Sequence, residues 1–188
     1  AKWTEAAERA LAHYRRAGWP TAACVGELAT SLYYGPVPVP EAANRCRLLL
    51  AEVSDRGGEA RVLAWLAGLE AFAGRFDSAR SLVERASEIY DDLGYRIELA
   101  SARGAVLGEI ELLAGRPELA QEALRTCCDV LSEMQMGVLL ASRASELAEA
   151  IYRQGRYDEA AGWLELADEH AGADDVGAQF LRRTVEAK

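Results

Sequence analysis

The chain has 188 residues, 51% of them hydrophobic and drawn largely from Ala and Leu, with 7% aromatic residues and five prolines. That composition suits close-packed helices rather than sheets. The net charge of −9 argues against phosphate-backbone binding by this segment and selects no particular ligand.

Helical recurrence of Ala6, Ala7, Ala10, Leu11 and Tyr14 predicts a first helix over 3–17, stopped at Gly18. A second is expected over 20–34, with Leu28, Ala29 and Leu32 on one face. The stretch Y-Y-G-P-V-P-V-P-E-A-A follows. Prolines at alternate positions exclude a helix and bias each preceding residue toward extended backbone. Two readings stand: a docking edge, or a stiff connector that lengthens one hairpin. Pro40 suits the first position of the next helix, 41–55. Gly57-Gly58 is read as a further break. Regular helix pairs follow: 59–73 with 76–93, 96–114 with 117–134, and 137–154 with 157–171. A last helix starts near Asp174, making ten in all. Without a long linker, the whole chain, 1–188, reads as one helical-repeat domain. Its repeats are a partial one at 1–17, then 20–55, 59–93, 96–134 and 137–171, and a partial one at 174–188.

One stretch occurs three times: A-G-R-F-D-S-A-R-S-L-V at 73–83, A-G-R-P-E-L-A-Q-E-A-L at 114–124 and Q-G-R-Y-D-E-A-A-G-W-L at 154–164. Its glycines, Gly74, Gly115 and Gly155, recur at a nearly constant interval of about 40 residues, the mark of a stacked repeat array. In each copy an Ala-rich helix ends at a Gly that tolerates positive φ. A short turn follows, and an acid enters the first turn of the next helix, where the dipole favours it. The expected architecture is an all-α superhelix, a solenoid of about five antiparallel helix pairs.

Chemistry has little to stand on. Cys24, Cys46, Cys127 and Cys128 form no C-x-x-C pair and only His13 and His170 are available to join them, so buried free thiols are expected rather than zinc. Glu109 and Glu111 straddle a helix, because residues two apart do not face each other. Ser81, Ser142 and Ser145 lack a G-x-S-x-G setting. No catalytic, cofactor-binding or metal-binding residue is therefore assigned, and no cofactor. No apolar run reaches the ~18 residues of a membrane span, and no signal peptide opens the chain. With Ala1 first and V-E-A-K last, the chain reads as an excised piece of a longer cytoplasmic protein.

Aligned on their glycines, the copies resemble the tetratricopeptide repeat. Leu147, Ala148, Ile151, Tyr157, Ala160, Leu164 and Ala167 match that family's pattern in the best copy. Leu107, Gly108, Ala120 and Leu124 match it in the copy before, and Leu66, Ala67, Phe76, Ala79, Val83 and Ala86 in the one before that. Two features depart from it: Glu70 and Glu111 stand where the family has an aromatic or aliphatic residue, and the repeats run longer than the family's ~34 residues. Four stretches in order are L-Y-Y-G-P-V-P-V-P-E-A, L-A-G-L-E-A-F-A-G-R-F-D-S-A, L-G-E-I-E-L-L-A-G and A-E-A-I-Y-R-Q-G-R-Y-D-E-A. Together they resemble the C-terminal repeat region of multidomain bacterial signalling proteins that carry class III adenylate/guanylate cyclase-like and P-loop ATPase modules. None of those modules' own motifs occurs here.

The resemblance implies a non-catalytic region that binds a protein, a peptide, a ligand or domains of its own parent chain. It would thereby regulate an attached ATPase, cyclase or transcription-regulating module. The alternative is a free-standing scaffold that assembles partner proteins. Neither nucleic acid nor membrane is an expected partner. The first helix of each pair would line a concave binding face with Thr30, Tyr33, Tyr34, Arg61 and Phe72, then Glu109, Leu112 and Leu113, then Ser142, Ser145, Glu149, Tyr152 and Arg153. The competing possibility is that Tyr33, Phe72 and Leu112 are core residues. In the pair 137–154 with 157–171, Ala148 and Ala160 are expected at the helix crossing, so Ala160→Leu is expected to overpack it and cost about 1–3 kcal/mol. An unchanged melting temperature would contradict this alignment.

Overall fold

The structure is a computed structural model and describes residues 2–171 and Arg183. Among these residues all regular structure is helical, as the repeats imply. The helices are α1 (Lys2–Ala17), α2 (Ala22–Tyr34), α3 (Val39–Glu52), α4 (Arg56–Phe72), α5 (Phe76–Asp92), α6 (Arg96–Ala100), α7 (Leu107–Leu113), α8 (Pro117–Glu133), α9 (Gly137–Tyr152) and α10 (Tyr157–His170). A π-helical turn, Ser101–Val106, separates α6 from α7. The expected last helix lies outside the described residues. The chain divides into two compact units, Ala1–Leu99 and Ala100–Lys188. That boundary falls inside the 96–134 repeat rather than between repeats.

The helix ends explain why the chain turns where it does. At Gly74 (φ +75°) the amide donates to Ala71 O (2.9 Å) while Arg75 N donates to Glu70 O (2.9 Å). This crossed pair of bonds, the Schellman motif, satisfies carbonyls that the helix leaves open. The same pair closes α1 at Gly18, α5 at Gly94, α7 at Gly115 and α9 at Gly155. It also closes α8 at Gln135, the one non-glycine with positive φ among the described residues (φ 56°).

The motif brings a residue of the last helical turn beside the one that follows the left-handed position, five positions on, and at three of these ends the pair carries a side-chain contact. Tyr14 meets Trp19 edge-on with ring centroids 5.4 Å apart, and Tyr90 meets Tyr95 at 6.4 Å. Glu70 and Arg75 hold the same two positions as an ion pair. Glu70 is 2% exposed, yet its carboxylate is taken by both Arg75 and Arg47 of α3. A buried carboxylate is tolerable only when paired in this way. Glu111 is likewise buried, with Arg116 five residues on.

In the first unit α4 is the central element, packed by α2, α3 and α5. Its buried residues, Ala60, Val62, Leu63, Ala64, Leu66, Ala67 and Leu69 among them, run around nearly the whole helix, as a centrally placed helix requires. The expected break at Gly57-Gly58 is corrected: both lie in the first turn of α4. Asp55 caps that helix by accepting a 2.6 Å bond from Gly58 N, and the cap outweighs the glycines' poor propensity. The Pro-rich stretch joins α2 to α3. Pro36, Pro38 and Pro40 are exposed, whereas Val37 and Val39 pack on the core. Helix α3 starts at Val39, two residues earlier than expected and one before Pro40, and stops at Glu52.

In the second unit α8 packs on α7, on the π turn and on α9, and α9 packs on α10. Ala148 and Ala160 are both buried, at 0% and 2% exposure. The expected continuous helix over 96–114 is interrupted by the π turn, where a Cβ on Gly104 would lie 2.1 Å from the Cβ of Cys127. Only glycine permits so close an approach to α8.

Gln135→Gly is expected to stabilise the chain by about 0.5–1 kcal/mol, because relief of left-handed strain exceeds the added freedom of the unfolded glycine. Urea unfolding checks this. A loss of stability would mean that the Gln135 side chain contributes more than its backbone conformation costs.

Candidate functional site

The candidate residues of the first unit converge on one cluster. Tyr33 and Tyr34 end α2, and Phe72 ends α4. Tyr33 stacks on Phe72 with centroids 5.4 Å apart and meets Tyr34 edge-on at 4.7 Å. Trp65, two helical turns before Phe72 on α4, lies 4.8 Å from Tyr33 and 5.4 Å from Tyr34. Gly68 makes room for this: a Cβ there would stand 2.5 Å from Tyr33 Cε2. Tyr33 and Trp65 are half-buried, whereas Tyr34 and Phe72 are 63% and 44% exposed. The cluster therefore has an anchored inner ring and an exposed outer face, and neither Tyr33 nor Phe72 is fully buried. Thr30 donates to Gly26 O (2.8 Å), and Arg61 lies against Gly26 while reaching Glu98 at 3.5 Å, so neither belongs to the cluster. Trp65 was missed because one Trp on a largely apolar helix reads as core. Its signal was the spacing of Trp65, Gly68 and Phe72 along one face.

In the second unit the candidates form a polar seam. Arg153 near the end of α9 holds Glu149 (2.7 Å) and donates to Leu112 O (3.0 Å), tying α9 to the last turn of α7. Tyr152 packs on Tyr157, ring centroids 5.1 Å apart. Ser142, Glu109 and Leu112 are half-buried, and Leu113 is exposed. Ser145 is corrected: it is 1% exposed and its hydroxyl donates to Ala141 O at 3.0 Å, so it faces the core of α9's packing rather than a binding surface.

Residues that the sequence left unassigned shape this seam. Burial pushes the Glu146 carboxyl up from 4.5 to about 7; Arg143 (3.1 Å) opposes the rise and Glu109 adds to it. All four cysteines are buried free thiols. Burial pushes Cys46 up to about 12, Cys127 to about 11 and Cys128 to about 12, far from the thiolate that nucleophilic chemistry needs. Among the described residues no group of three or more His, Cys, Asp or Glu side chains is placed to hold a metal ion. Likewise no helix among them is long and apolar enough to cross a membrane.

The first unit also holds a groove of about 510 Å³ between α1 and α3. Leu11, Leu28, Leu32 and Leu49 floor it. The ion pairs Arg15–Glu52 (2.7 Å) and Glu8–Arg45 span it from α1 to α3. Only the fold brings residues 37 positions apart into these pairs.

With this geometry in hand, comparison with known proteins gives one kind of answer. No family model matches the chain, and no curated protein does. Among solved structures, the crystal structure of BtubC (BKLC) from P. vanneervenii superposes with a TM-score of 0.51 at 17% identity, covering 100% of this chain and 92% of that one. What the two share is an all-α fold. At that identity the likeness extends to no activity or partner.

Glu146→Gln tests the electrostatics of the seam. A folded-state pKa raised above the unfolded value means that the neutral form is favoured on folding. The stability this gives is full below pH 4.5 and is lost as pH rises through about 7. Gln mimics the neutral form, so the variant is expected to exceed the wild type by about 1–2 kcal/mol at alkaline pH, allowing for partial solvent access. The gain should vanish in acid. Paired urea titrations across this range check it, and a pH-independent difference would contradict the assignment.

Proposed function

We propose that this chain is a non-catalytic docking and ligand-sensing repeat region that regulates an attached nucleotide-dependent module, an ATPase, a cyclase or a transcription-regulating unit. The observation that carries the reading is the aromatic cluster of Tyr33, Tyr34, Trp65 and Phe72, an outward-facing patch preformed on rigid helices. Exposed aromatic side chains with an anchored base are typical of protein-binding surfaces, because they bury much area at little entropic cost. The link to a signalling module rests on the resemblance of the four ordered sequence stretches to such multidomain bacterial proteins. Four buried thiols suit a cytoplasmic setting.

A ligand regulates such a module only by binding two states of the protein unequally. In a parent protein carrying the module, Tyr34→Ala/Phe72→Ala is expected to change the ATPase or cyclase rate severalfold without loss of folding. The same patch also serves a second reading, a free-standing scaffold. A scaffold would bind its partner with equal affinity whether or not nucleotide is present, whereas a sensor would not. If this double variant altered neither partner binding nor rate, the docking reading would fail.

A further inference from the structure

We draw no further inference here: the strongest candidate, the leucine-floored groove between α1 and α3 in the first unit, is an apolar face whose rim arginines Arg15 and Arg45 are already held by Glu52 and Glu8, and nothing in the structure shows what covers it.

Discussion

A helix that ends must dispose of its last carbonyls and send the chain back along its own side, and in this protein both tasks fall to one device. The crossed hydrogen bonds around a left-handed residue recur at Gly18, Gly74, Gly94, Gly115, Gln135 and Gly155. Each sets the residue at the inner face of the last helical turn beside the residue five positions on. At Tyr14–Trp19, Glu70–Arg75 and Tyr90–Tyr95 the two side chains also touch, which supports the turn. The hairpin geometry, and so the packing of each helix on its neighbours, depends on that small motif.

The contact admits more than one chemistry. Ring against ring serves at Tyr14–Trp19 and Tyr90–Tyr95, and carboxylate against guanidinium at Glu70–Arg75. The ionic version is tolerable because Arg47 reaches Glu70 from α3 as well, so a nearly buried charge has two partners. That second arm also joins α3 to α4, which gives the substitution of an acid for an apolar residue a structural use. Thus a residue that departs from the repeat pattern at one position changes how two neighbouring helices are held.

The surface features divide by their physical origin. In the first unit the aromatic cluster is a product of small-residue packing: without Gly68 the ring of Tyr33 has no place on α4, and the outer rings lose their support. In the second unit the seam is polar and tied by Arg153 across two helices, with Glu146 kept partly protonated at neutral pH by burial. One surface presents fixed quadrupoles and the other presents paired charges. An external ligand meets little reorganisation at the first, whereas at the second it must compete with ion pairs already made.

The sequence by itself determined the elements and the turns. The glycines at 74, 115 and 155 mark left-handed positions that hardly any other residue takes at low cost, and local periodicity places the helices to within a few residues. Local rules failed where a local competitor or a distant packing partner decided. Asp55 started α4 ahead of Gly57-Gly58 by capping it, and the contact of Gly104 with Cys127 accompanies a π turn that no periodicity signals. The tertiary structure alone decided which aromatic residues meet. Tyr33 and Phe72 are nearly forty positions apart and on different helices, Trp65 joins them only through the pitch of α4, and Ser145 turns inward although its neighbour Ser142 does not. Hydrogen bonding within a turn is written in a few adjacent residues; which faces touch depends on rotations that accumulate along each helix, and only packing settles those.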